Sequence, residues 1–285
     1  MGSSTASIAS WAPSGIVTLT TDFGQRDCFV GVMKGVLLGL APRAVVVDLT
    51  HEVAAQDVRA AAFHLRHAWS WFPEGTVHVA VVDPGVGSER QILLALQDGH
   101  AFLAPDNGLL SGVLGPRAEV RSLELARVAL PEVSRTFHGR DVFAPAAARL
   151  AGGVGPGTIA ARLAAEWVRL EWPGPRALAG GGFQAPVQHV DRFGNAVTAL
   201  TRTELDPGCA QGWLARTRGR ELPLAATYSD VQPGQALALL GSFGCWEIAV
   251  REGDAARSLG LACGEPVEFC PGPGTAGPPT ERARC

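Results

Sequence analysis

Val77-His78-Val79-Ala80-Val81-Val82-Asp83 is the stretch from which the fold is read. A near-continuous β-branched run of this kind predicts a parallel strand buried on both faces. Two further apolar runs, Thr18 to Asp22 and Val45 to Asp48, also finish on aspartate. In open α/β sheets ligands sit just beyond the carboxyl ends of the strands, so the three acids are expected to face one crevice. An anionic rim suits a ligand rich in hydroxyls or carrying positive charge, and disfavours a phosphate.

Working outward, helical and strand periods alternate through the first half, the pattern of a sheet with crossover helices. Cys28 to Leu40 reads as a helix stopped by Ala41-Pro42. Gln56 to Phe72 carries apolar residues at i, i+3, i+4 spacing and ends at Pro73. Strands are predicted at Thr76 to Val82, Gln91 to Leu96 and Ala101 to Ala104, the last two joined by Gln97-Asp98-Gly99-His100, and a helix near Gly139 closes this half. From Ala151 to Gly182 glycine and proline dominate, and short strands separated by turn residues follow. The expected fold is an α/β N-terminal domain with a mostly parallel sheet, plus a smaller C-terminal antiparallel β-barrel domain. Its bounds are a disordered tail at 1–14, the α/β domain at 15–152, a connection at 153–182, the barrel at 183–270 and a disordered tail at 271–285.

Composition excludes more than it selects. A 285-residue chain with 47% hydrophobic content supports two ordinary cores, and a net charge of −3 selects no partner. The 24 Lys and Arg form no basic cluster, so nucleic acid is not an expected partner. No apolar run approaches membrane-spanning length. The six cysteines show no metal-like spacing and read as reduced thiols of a cytoplasmic protein. No metal site is expected, since His51-Glu52 lacks the second His of a zinc helix.

Several short motifs have chemical potential beside a plain structural reading. Thr21-Asp22-Phe23-Gly24 with Asp27 forms a strand-to-helix turn bearing two carboxylates, where helix capping by Asp27 is the simpler reading. Asp83-Pro84-Gly85-Val86-Gly87, with Arg90 beyond it, reads equally as a ligand loop or as a turn with a structural ion pair. Pro105-Asp106-Asn107-Gly108 is explained by turn chemistry alone. His138, beside Gly139 at a helix start, feels positive potential that favours a neutral imidazole. Asp191-Arg192-Phe193-Gly194-Asn195 offers a carboxylate, an aromatic face and an amide for a purine, or simply a hairpin turn.

As an ordered set, Thr21 to Gly24, Thr50 to Val53 with Gln56 to Arg59, Asp83 to Gly87, Pro105 to Gly108, His138 to Asp141 and Asp191 to Asn195 resemble the S-adenosyl-L-methionine hydroxide adenosyltransferase family, relatives of fluorinase and chlorinase. The resemblance covers Gly15 to about Phe269. It implies hydrolysis of S-adenosyl-L-methionine (SAM) to adenosine and L-methionine without a cofactor. It also implies a homotrimer with the site at the subunit interface. On this resemblance Asp83, Arg90 and His138 surround the attacking water, and Asp27 holds the ribose diol. Asp22, Asp191, Phe193, Asn195, Ser242 and Glu247 fall among the substrate-binding positions. The halogenases carry an aromatic residue in place of Asp83, the fluorinase has one in place of Gln56, and Phe243 stands where the fluorinase has an Arg. The alternatives are a halide transferase acting on SAM and a non-catalytic SAM or adenosine sensor.

Overall fold

The computed structural model describes residues 11–163 and 165–273, and the chain divides after Glu171 into two compact units. Most of the tails expected at 1–14 and 271–285 lies outside the described residues. Within them, Trp11 Nε1 donates to Leu150 O at 3.2 Å and Ser14 N–H donates to Gly75 O at 3.0 Å.

The first unit is built on seven strands: β1 (Ile16–Thr21), β2 (Val45–Thr50), β3 (Val77–Val81), β4 (Ile92–Gln97), β5 (His100–Pro105), β6 (Glu119–Leu123) and β7 (Ala160–Arg162). Their spatial order is β2-β1-β3-β5-β4-β6-β7. Alternation along β3 explains its unbroken apolar run. Val77, Val79 and Val81 enter one core with Met33 and Leu37, while Ala80 and Val82 enter the opposite one with Ala61, Leu65 and Phe102. Helix α1 (Phe29–Leu40) supplies Met33 and Leu37, and α2 (Val58–Ala68) supplies Ala61 and Leu65. Asp57 caps α2 by accepting the Ala60 N–H at 2.9 Å. Two later helices are α3 (Leu125–Val128) and α4 (Ala144–Ala151).

The sheet is mixed, which corrects the expectation of a mostly parallel one. The β1–β2, β1–β3 and β3–β5 pairs are parallel, whereas β4–β5, β4–β6 and β6–β7 are antiparallel. The cause is the turn Asp98-Gly99. Both residues have positive φ, 46° and 79°, the geometry of a tight hairpin whose strands must run in opposite directions.

The second unit is antiparallel, formed by β8 (Arg176–Ala177), β9 (Phe183–Val190), β10 (Ala196–Thr201), β11 (Trp213–Thr217), β12 (Arg220–Pro223), β13 (Ala236–Leu240), β14 (Cys245–Val250) and β15 (Pro266–Pro271). The order is β12-β11-β15-β9-β10-β14-β13, with β8 beside β9. An isolated bridge between Leu224 and Ala238 brings the two ends together, so the barrel is nearly closed. Trp246 and Phe269 fill its core. Among the described residues no helix is long and apolar enough to cross a membrane.

Candidate active site

Beyond β3 the chain leaves the sheet at Asp83, turns through Pro84 to Gly87, and returns toward β4 at Arg90. Arg90 Nε lies 2.9 and 2.8 Å from the two Asp83 oxygens, and Arg90 Nη2 also donates to Asp83 Oδ2. Their side chains are only 11% and 5% exposed, so this fork-to-fork pair is strong and orients both groups. Gly87 is required here. Its φ is +79°, and a Cβ would sit 2.4 Å from Arg135 O in the segment leading to His138.

Arg90 Nη2 reaches His138 Nδ1 at 3.0 Å. A guanidinium can only donate, so Nδ1 must accept and the neutral ring carries its hydrogen on Nε2, an assignment made from the hydrogen-bond logic. The His138 pKa is lowered, first by burial and next by the Arg90 charge, while Asp83 and Asp141 oppose the shift. The imidazole is therefore neutral at pH 7, as the sequence suggested, but burial leads.

His138 is fixed from both sides. A π-helical turn, Gly139–Phe143, follows it and runs into α4. A Cβ on Gly139 would lie 2.9 Å from Met33 Sδ and 3.2 Å from Phe23 Cε2. Asp141 is fully buried; Arg140 donates to it, and so does the Ser134 N–H at 2.8 Å. Burial alone would raise the Asp141 pKa, but these donors hold it below the usual carboxylate range.

A cavity of about 390 Å³ opens over this group, lined by Asp22, Gln56, Asp83, His138 and the rings of Phe23, Phe29 and Phe137, among others. Asp22 accepts the Gln56 N–H at 2.8 Å. Gln56 has φ +68°, a left-handed conformation uncommon for a residue with a side chain and often found at functional sites. Asp27 is exposed and does not cap α1, whose N-cap is Cys28 without a side-chain bond. Asp48 fails to reach the rim, contrary to expectation. It lies inside β2, where Lys34 and His51 hold it. Asn107 supports the site through structure, its Nδ2 donating to Val82 O at 2.8 Å.

The second unit gathers a different set. Asp191 Oδ1 accepts the Phe193 and Asn195 N–H groups at 2.9 and 2.8 Å, and Oδ2 accepts from Asn195 Nδ2 at 3.0 Å. Asp191 thus shapes its own loop. Gly194 belongs to that design, since a Cβ there would meet Asp254 Oδ1 at 2.1 Å. Phe193 is 75% exposed while Glu247 is buried, its Oε1 accepting from the Tyr228 hydroxyl at 2.7 Å. Burial pushes the pKa of both Glu247 and Tyr228 upward. Phe193, Asn195, Tyr228, Val250, Glu252 and Gly253 line a cavity of about 400 Å³. Ser242 is exposed on the turn joining β13 and β14. Sequence reasoning missed Tyr228; the available signal was that it is the chain's single tyrosine.

Models of the SAM hydroxide adenosyltransferase N-terminal and C-terminal domains match residues 17–160 and 185–268. An (R)-S-adenosyl-L-methionine hydrolase of Thermus thermophilus is 42% identical over 263 residues, covering 89% of this chain and 98% of the relative. A fluorinase of Nocardia brasiliensis is 30% identical, over 89% of this chain and 96% of its own. The crystal structure of an uncharacterized conserved protein from Thermotoga maritima superposes with a TM-score of 0.79 at 34% identity, covering 90% of this chain and 99% of that one.

Proposed function

Because the chain belongs to the SAM hydroxide adenosyltransferase family, we propose that it hydrolyses SAM to adenosine and L-methionine by attack of water or hydroxide on the 5′ carbon. The observation that carries this reading is the Asp83–Arg90–His138 group, whose Asp83 and His138 line the cavity. The oxygen of water forms a bond to C5′ as the C5′–S bond breaks. The bonding pair leaves with sulfur, which turns from sulfonium into the neutral thioether of methionine. The leaving group therefore needs neither a general acid nor a cofactor. The difficulty lies with the nucleophile, which must be oriented and must lose a proton.

Donors aimed at the nucleophile answer that difficulty. Arg90 and His138 Nε2–H together stabilise an oxygen as it acquires hydroxide character. With Nδ1 occupied by Arg90, His138 serves as an orienting donor, and the proton passes to solvent. Asp83 fixes the guanidinium. Asp22 and the exposed Asp27 are the proposed partners of the ribose diol. Asn195, Phe193, Ser242 and Glu247 are assigned to the rest of the substrate, with Asp191 shaping their loop. A homotrimer with its site at the subunit interface is part of this reading, and light scattering is expected to return three times the 29.7 kDa chain mass; a monomer mass would remove it.

Halide transfer is the second reading, favoured by the fluorinase relative. Asp83 argues against it for a specific reason. Its carboxylate lines the cavity, and that fixed negative charge raises the cost of holding an anion there. Incubating purified protein with SAM, with and without chloride or fluoride, and separating the products by chromatography tests the assignment. Adenosine and methionine formed without halide are expected. A halide-dependent 5′-halo-5′-deoxyadenosine moves the assignment to the second reading, and unconsumed SAM with tight adenosine binding moves it to a sensor.

A further inference from the structure

Next to the turn that carries Asp22 lies a chain of polar contacts that the proposed chemistry does not use. Lys34 Nζ on α1 lies 2.6 Å from Asp48 Oδ2 on β2. Asp48 Oδ1 lies 3.0 Å from His51 Nε2, and His51 Nδ1 lies 2.8 Å from Thr21 Oγ1. Thr21 Oγ1 in turn accepts the Phe23 N–H at 3.2 Å. His51 Nε2 faces Asp48 at contact distance without a hydrogen bond of good geometry, while Nδ1 accepts the Thr21 hydroxyl hydrogen and the hydroxyl oxygen stays free for Phe23.

The chain ends on the turn that carries Asp22. His51 grips this turn a second time through its backbone, its C=O accepting the Gly24 N–H at 2.8 Å. A few residues on, the Gln56 N–H holds the Asp22 carboxylate at 2.8 Å. The pairing of β1 with β2 slips between Leu19 and Thr20, an irregularity of the kind that re-aims side chains next to active sites. His51 and Thr21 are buried, at 2% and 0% exposure. Burying so polar a set is costly unless its geometry is needed, and an apolar filling would serve packing alone.

We propose that His51 is a positioning residue for the SAM reaction, acting through Thr21 and Gly24 to hold the 21–24 turn so that Asp22 meets the substrate. The inference rests on the function proposed above. It predicts that loosening the turn weakens capture of SAM and leaves the chemical step intact.

The test compares Thr21→Val, His51→Phe, their double variant and His51→Asn. The Asn amide oxygen can still accept the Thr21 hydroxyl hydrogen. In His51→Phe, KM for SAM is expected to rise ~10-fold while kcat stays within about threefold, with the double variant no worse than the single ones. His51→Asn recovers most of the loss. A merely structural role would reduce the folded fraction, which lowers kcat and leaves KM alone, so that pattern overturns the proposal. Amide exchange is read in parallel on the parent and variant proteins. Faster exchange at Phe23 and Gly24, with Val79 and Ala80 unchanged, is expected whether or not the parent turns over SAM. A parent that leaves SAM intact therefore refutes the activity, whereas parental exchange rates at Phe23 and Gly24 refute the positioning role. If His51→Phe does not fold, Thr21→Val carries both readouts.

Discussion

The two units handle their buried charges in opposite ways. In the first, the enclosed carboxylates of Asp83 and Asp141 are matched by Arg90 and Arg140. In the second, Glu247 is buried against a neutral tyrosine hydroxyl, and Asp191 is spent on the amides of its own loop. Paired charges aimed at a cavity suit activation of a nucleophile, because they are oriented before the substrate arrives. Neutral polar groups around an exposed ring suit recognition of a flat, uncharged ligand. On the proposed function the first unit would carry the chemistry and the ribose contact and the second the rest of the substrate, and each can be broken separately.

The largest effect is expected at Arg90. Arg90→Met should cost ~10²–10³-fold in kcat for SAM. Because it strands a buried Asp83, it should also destabilise the first unit by about 3–5 kcal/mol in denaturant titration. His138→Ala should lose about 10²-fold in kcat, with adenosine binding by calorimetry unchanged. Tyr228→Phe, in contrast, leaves the Glu247 acceptor unpartnered and should cost about 1–3 kcal/mol of stability. There adenosine affinity falls while kcat moves little. The smallest effect is Asp27→Ala, which should raise KM for SAM without shifting the melting temperature, since Asp27 is exposed and caps nothing. Equal kcat losses in Arg90 and Tyr228 variants would erase the division of labour.

Acidity sharpens the same contrast. In the first unit the His78 pKa is lowered to about 3, by burial and then by His100. Its neutral form is favoured by folding, so the stabilisation is complete above the ordinary value of 6.5 and is lost as pH falls from there toward 3. Glu247 has the opposite sign. Its raised pKa means the folded unit holds the proton more tightly, so stability is fullest below 4.5 and declines as pH rises through the shifted value. Calorimetry across pH should show the first unit weakening in acid. Glu247→Gln should raise the melting temperature of the second unit at neutral pH and flatten its dependence. Activity should also fall in acid as His138 protonates below 6.5, since a charged ring can no longer accept from Arg90.

Local patterns were legible wherever one residue set decided the outcome. The strand at Trp213–Thr217 and the helix ending at Leu40 stand where apolar period and turn chemistry place them. The run from Val77 forms a parallel strand because both of its faces meet helices. The mixed character of the sheet was not legible, because β6 and β7 are short, partly polar strands whose direction depends on pairing with distant partners. At the site, the Asp83–Arg90 pair follows from loop spacing, but its junction with His138 spans 48 positions and needs the folded sheet. Asp48 shows the converse. Its place at the end of an apolar run resembled that of Asp83, and only the tertiary contacts to Lys34 and His51 reveal a supporting role.

The central claim is that solvent oxygen, readied by Arg90 and His138, ends on the sugar carbon that sulfur leaves. Turning over SAM in ¹⁸O-labelled water and weighing the adenosine by mass spectrometry measures this directly. The account predicts one heavy oxygen, at the 5′ hydroxyl, with unlabelled methionine. Adenosine that carries no label, formed at the same rate, would contradict it.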